Sequence, residues 1–135
     1  MYNQEKIKVF VRCRPLIQRE IEASCEKQWK CVGKTIQRRI ASGVARQPSH
    51  CAYSFDNVFD EDDSNQTIYD ESFREIICAA MEGFNGTVFA YGQTASGKTH
   101  TISGNKEDPG LIQYGIGEIF SIIENVSAKM GSSVL

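Results

Sequence analysis

Residues 92–99 read Gly92-Gln93-Thr94-Ala95-Ser96-Gly97-Lys98-Thr99. The stretch fits G-x-x-x-x-G-K-[ST], the pattern of a loop that cradles phosphate groups. Glycines at its two ends let the chain curl in a way a Cβ resists. The curl turns successive backbone N–H groups inward and makes a nest for an anion. A helix is expected to start at the loop, adding its first amides and its dipole. Lys98 supplies a full positive charge for the β- and γ-phosphates of a nucleotide, and the Thr99 hydroxyl is the expected magnesium ligand.

The flanks support this reading. Thr87-Val88-Phe89-Ala90-Tyr91 is rich in β-branched and aromatic residues, which predicts a buried strand running into the loop. Asn85-Gly86 launches it with a turn pair. His100-Thr101-Ile102-Ser103 can continue a helical turn. Strand, glycine loop and helix in that order is the context the pattern requires.

Further out, Lys6 to Arg14 reads as a strand with Ile7, Val9, Val11 and Cys13 on one face, ended by Pro15. Residues 16–52 are polar with short apolar pairs such as Cys31-Val32 and Ile40-Ala41, and read as strand fragments and loops. Tyr53-Ser54-Phe55 is a further short strand. Asp60-Glu61-Asp62-Asp63 reads as a solvated acidic turn, lacking the alternating ligands and glycine of a calcium loop. Ser64 or Asn65 can cap a helix whose apolar stripe is Tyr69, Phe73, Ile76, Ile77, Ala80, Met81 and Phe84. Gly83 closes it. Gly104 to Glu107 is a loop, Asp108 a candidate cap and Pro109 a helix start. Ile112, Ile116, Ile119, Phe120, Ile123 and Val126 then mark a second amphipathic helix. The pattern predicts an α/β fold with helices on both faces of a sheet.

Composition narrows the class. The chain has 135 residues, enough for one domain, with 41% hydrophobic and 24% charged residues. A net charge of −2 argues against a nucleic-acid module. The N-terminus is polar and the longest apolar run, Ile76 to Met81, is far too short to span a membrane. The cysteines, Cys13, Cys25, Cys31, Cys51 and Cys78, are odd in number and form no C-x-x-C pair. They support neither a zinc ribbon nor a redox motif, and read as reduced thiols of an intracellular protein.

The stretch from Gly83 to Thr101, GFNGTVFAYGQTASGKTHT, closely resembles the signature of the kinesin motor domain. Other pieces fall in the same order. Val11-Arg12-Cys13-Arg14-Pro15 resembles the adenine-side motif, and Phe55-Asp56-Asn57-Val58-Phe59 the strand and turn that follow. Gln66, Ile68 and Tyr69 resemble the start of the first helix. Gly110-Leu111-Ile112 with Ile119-Phe120 resembles the second half of the loop helix. Ala95 and the short loop 104–109 are most similar to the centromere-associated kinesin-7 subfamily. Gln113 and Tyr114 depart from the family's usual proline and basic residue, and Ile102-Ser103 from its usual apolar pair.

The resemblance implies a P-loop NTPase fold and an ATP-driven microtubule motor, with residues 1–135 as the N-terminal portion of the motor domain. Gly92, Gln93, Thr94, Ala95, Ser96, Gly97, Lys98 and Thr99 would hold the phosphates of ATP with Mg2+. Arg12, Arg14, Pro15 and His100 would line the adenine pocket, where proline, imidazole and guanidinium faces suit a flat base. Switch I, switch II and the main microtubule-binding elements of the family have no counterpart here, so no catalytic residue is expected in this stretch. The family's sheet places a late strand between the first strand and the P-loop strand, so an incomplete sheet with exposed apolar surface is expected, with marginal stability and no microtubule-stimulated turnover from these residues alone. The implied partners are microtubules, with no nucleic acid or membrane, and any dimer would form through regions outside this sequence. The implied location is the cytoplasm and cytoskeleton, including the spindle or kinetochore. The alternative is a non-catalytic fragment that binds nucleotide or a partner chain without turnover. A small-molecule kinase would need a lid and further basic residues, and a GTPase an Asn-Lys-x-Asp motif; neither is present.

Overall fold

The computed structural model describes residues 7–39 and 52–131, the side chains of 130 and 131 excepted. Lys6, Ile40, Ala41, Cys51 and Val134-Leu135 fall outside them. Two compact units divide between Asp63 and Ser64. The described elements mix parallel and antiparallel strands with helices, the α/β class that the sequence predicts.

In the first unit, β1 (Phe10–Arg12) pairs in parallel with β5 (Asn57–Phe59), Val11 opposite Val58. The expected strand from Lys6 is shorter than its alternation suggests. Its length is set by the three-residue partner, and Ile7 and Val9 remain exposed. Beyond β5 a side chain takes over, the Asp56 carboxylate accepting from the Val9 amide at 2.8 Å while the Asp56 amide donates to Val9 O at 3.1 Å. The core here is Val58 and Phe59.

The described part of residues 16–52, residues 16–39 and Ala52, contains more order than its polarity implies. Helix α1 (Gln18–Glu22) has no acceptor on Ile17, but Glu20 reaches back to the Ile17 amide at 2.9 Å, half of a capping box. β2 (Trp29–Val32), β3 (Thr35–Arg38) and β4 (Ala52–Ser54) form an antiparallel sheet in that order. The pairs Thr35–Ser54, hydroxyls 3.0 Å apart, and Trp29–Tyr53, ring centroids 6.4 Å apart, lie on opposite faces of this sheet and tie its strands together. The run 60–63 is a tight turn, Asp63 N donating to Asp60 O and the Asp63 carboxylate accepting from the Asp60 amide at 2.6 Å; Glu61 pairs with Lys27.

In the second unit, the Ser64 hydroxyl accepts from the Thr67 amide and caps α2 (Asn65–Ile68). The expected single helix is broken by one π-helical turn, Tyr69–Phe73, before α3 (Arg74–Met81). The wider turn shifts the buried face, so Ile68, Tyr69 and Ser72 are enclosed while Met81 and Phe84 stay exposed. α4 (Lys98–Ile102) follows the glycine loop.

α5 (Leu111–Gly131) starts later and runs longer than expected. Asp108 does not cap it. The Asn105 side chain accepts from the Glu107 and Asp108 amides, Gly104 bridges to Pro109, and Gln113 accepts from the Gly110 amide at 3.1 Å. Gln113 thereby supplies the first turn's return contact. The packed face is also rotated from the one the isoleucines mark. Leu111, Tyr114, Gly115, Glu118, Ile119 and Ile122 lie inward, and Ile112, Ile116, Phe120, Ile123 and Val126 are at least 45% exposed. Three contacts fix this choice. Tyr114 stacks on Tyr69 with centroids 5.6 Å apart, Glu118 pairs with Arg74 at 3.1 Å, and a Cβ on Gly115 would meet Ile77 Cδ1 at 3.3 Å. A glycine at the crossing lets α3 and α5 approach closely.

Candidate functional site: the glycine loop and its surroundings

Thr87–Tyr91 carries no strand ladder among the described residues, which corrects the expected strand. Strand propensity is realised only when backbone N–H and C=O groups find a neighbour. Phe89 is 88% and Tyr91 101% exposed. The apolar surface expected at this point of the sheet is therefore present.

The loop itself is curled. Gly92 has φ +154° and Gly97 φ +94°, and a Cβ on Gly92 would come within 2.5 Å of the Ser96 hydroxyl. Ala95 has φ +65°, the left-handed region that an alanine enters at a cost of about 1–2 kcal/mol. Ser96 N donates to Gln93 O at 3.2 Å and closes the turn. Thr94, Ala95, Gly97, Lys98 and Thr99 line an open recess of about 350 Å³. All the loop residues singled out from sequence thus lie on one curled segment.

The Lys98 ammonium is turned into its own loop, donating to Gly92 O and Gln93 O at 2.7 Å each. Lys98 opens α4, and the carbonyl of Thr99, the next residue, accepts from the Ser103 amide at 2.8 Å. A phosphate chain suits this donor set, since the recess offers an ammonium, a hydroxyl and the first amides of α4 that no intrahelical acceptor can reach. Mg2+ bound largely through phosphate oxygens and water needs few protein ligands, and Thr99, which lines the recess, carries a hydroxyl of the kind that could be one.

The expected adenine-side residues divide between the units. Arg12, Arg14 and Pro15 belong to the first and His100 to the second. Arg12 donates to Asp63 O at 3.2 Å. Arg14 makes a two-pronged ion pair with Glu20, both contacts 2.8 Å, and also donates to Pro15 O. These contacts use the edge of the guanidinium and fix its plane, leaving stacking to its faces. Hydrogen bonding from Arg14 and from the Ile17 amide holds the Glu20 carboxyl down at about 2. Hydrogen bonding to Glu20 in turn raises the Arg14 pKa further. The His100 ring lies 3.5 Å from the Asp108 carboxylate.

One residue with a place in this site was read from sequence only as a candidate cap. Asn65 is 0% exposed, and its side-chain amide donates to the His100 carbonyl at 3.2 Å. It ties the start of α2 to the helix that carries Lys98 and Thr99. Its neighbour Ser64 takes the capping role. A helix-start asparagine and a buried tether look alike in sequence.

An α/β chain with a glycine-rich phosphate-type loop at a helix start is the class these observations define. Residues 12–134 match the kinesin motor domain family. The chain is 42% identical over 127 residues to the kinesin-like protein KIN-7D, mitochondrial, of Arabidopsis thaliana, covering 94% of this chain and 12% of that protein. It is 40% identical over 129 residues to the Arabidopsis thaliana kinesin-like protein KIN-7L, chloroplastic, covering 96% and 13%. A rice protein, KIN-7D, chloroplastic, of Oryza sativa subsp. japonica, is 40% identical over 90% of this chain and 11% of its own length. The chain belongs to the kinesin family, and its fold is a partial kinesin motor-domain architecture related to these plant kinesin-7-like proteins. It spans about one-eighth of the length of the curated relatives it matches.

Proposed function

We propose that this chain is the nucleotide-binding, N-terminal portion of a kinesin motor domain, and that the protein it belongs to is an ATP-driven microtubule motor of the cytoplasm and cytoskeleton. The observation that carries the proposal is the curled loop 92–99 within a match to the kinesin motor domain over residues 12–134. Bound ATP with Mg2+ would supply the cleavable phosphoanhydride whose hydrolysis drives such motors.

The residues of this chain would bind and orient. Lys98 would leave Gly92 O and Gln93 O to place its ammonium against phosphate oxygens. Thr99 would offer its hydroxyl to the metal, and the backbone of Gln93 to Gly97 would line the phosphate chain. Arg12, Arg14 and Pro15 of the first unit, and His100 of the second, are the residues that the kinesin resemblance implies for the base, and the Glu20 pair would hold the Arg14 plane in place. Positioning of the attacking water falls to no residue in this stretch, so turnover would require the rest of the motor domain. The finer reading, a spindle or kinetochore motor, rests on the resemblance of Ala95 and the short loop 104–109 to the centromere-associated kinesin-7 subfamily.

Titration with a fluorescent ATP analogue and Mg2+, followed by measurement of phosphate release with and without microtubules, tests this. Saturable binding that Lys98→Ala weakens supports the proposal. Binding without phosphate release assigns residues 1–135 to nucleotide capture alone. Absence of any Lys98-dependent binding overturns it.

A further inference from the structure

Cys13 and Cys31 stand far apart in sequence and form no cysteine motif, yet their sulfurs lie 3.2 Å apart in the first unit. Each is held by backbone pairing rather than by a mobile loop. The Cys13 amide donates to Phe59 O at 2.9 Å, extending the β1–β5 ladder. Cys31 pairs with Ile36 in the centre of the β2–β3 hairpin, and its sulfur also lies 3.9 Å from Phe59 O. Both side chains are half-buried, within reach of a small reagent. A disulfide bond is ~2.05 Å long, so closing this pair asks the sulfurs to move together by only about 1.2 Å.

We propose that Cys13 and Cys31 form a redox-modification site that reacts with a small-molecule disulfide of the oxidised-glutathione class and closes into an intramolecular disulfide. The Cys13 sulfur attacks one sulfur of the oxidant, forming a mixed disulfide and releasing one thiol. Cys31 then gives up its proton and attacks the Cys13 sulfur, releasing the second thiol. The two cysteines lose two electrons and two protons, and the oxidant gains both pairs as two molecules of reduced thiol.

The surroundings set the order of the two steps. The Cys31 thiol donates to the Cys13 sulfur. Burial, that hydrogen bond and the nearby Asp60 carboxylate push Cys31 up to about 12, so it keeps its proton and reacts second. The departing thiolate of the oxidant takes that proton and leaves as the thiol. The product would tie the end of β1, between Arg12 and Arg14, covalently to β2. The site stands without the nucleotide reading; only its effect on the two arginines depends on it.

The test treats the intact native chain with oxidised glutathione, traps free thiols with an alkylating reagent and maps the peptides by mass spectrometry. The expected product is a Cys13–Cys31 linked peptide, two hydrogens lighter than the reduced pair, formed at least about tenfold faster than any disulfide with the exposed Cys25 and reversed by dithiothreitol. In Cys31→Ser, glutathione remains on Cys13. In Cys13→Ser, Cys31 stays free. Recovery of both wild-type cysteines as alkylated thiols, or as stable separate glutathione adducts, overturns the proposal, and that readout needs neither variant to fold nor any nucleotide to bind.

Discussion

Lys98 gives the sharpest prediction at a single position. Its ammonium makes two charge-assisted contacts inside the loop, and the same group is the one proposed to meet phosphate. Lys98→Ala should weaken nucleotide binding roughly 10- to 100-fold, the equivalent of one such contact, read as a shift in Kd by fluorescence titration. Gly97 is a test of backbone rather than charge. At φ +94° an alanine is strained by about 1–3 kcal/mol, so Gly97→Ala should lower Tm and loosen the loop, while Ala95→Gly, relieving φ +65°, should raise Tm. Glu20 carries the pH dependence. Its folded carboxyl is depressed from the ordinary 4.5 to about 2. The stabilisation is therefore complete above about pH 4.5 and lost as pH falls through about 2. The pair is partly exposed and its contribution small. The Tm gap between wild type and Glu20→Gln at neutral pH should close as the pH approaches 2; a gap that persists there would exclude the Arg14 pair as its source.

Among the helices, contacts rather than periodicity chose the packed faces. Six apolar positions on α5 mark a stripe by spacing, yet the helix turns most of them outward. Tyr114, Gly115 and Glu118 decide the matter, through a ring stack, a close approach and an ion pair, none of which registers as hydrophobicity. Gln113 and Tyr114, which depart from the family's usual residues, are both used, one to cap and one to stack. Tyr114→Ala should lower stability by at least about 1 kcal/mol, measured by chemical denaturation, and Ile116→Ala, exposed, by much less. Asn65 works across elements. Removing its amide takes one of two donors from the His100 carbonyl, which keeps the Gly104 amide at 3.0 Å, at a cost of about 0.5–1.5 kcal/mol. Asn65→Ala should destabilise α4 and weaken nucleotide binding together, whereas Ser64→Ala should cost stability alone; equal effects of the two on binding would assign Asn65 a purely structural role.

Across the chain, order follows the supply of partners. β1 ends where β5 ends, and Thr87–Tyr91, the segment richest in strand-forming residues, has no ladder among the described residues. Hydrogen exchange should find the amides of 87–91 exchanging close to the unstructured rate while those of the inward face of α5 are protected; slow exchange at 87–91 would show that a partner is found in solution. No helix of the described residues is long and apolar enough to cross a membrane.

The order of residues sufficed for the α/β class, the phosphate-type loop and the kinesin resemblance, because each rests on local chemistry: glycines where φ is positive, a lysine beside them, an apolar segment before and a helix after. Helix faces, strand lengths, the tether from Asn65 to His100 and the meeting of Cys13 with Cys31 were not legible there. Each joins groups distant along the chain, and such contacts depend on register, crossing distance and which backbone groups find a neighbour. Those are properties of the packed chain, and spacing along a sequence does not contain them.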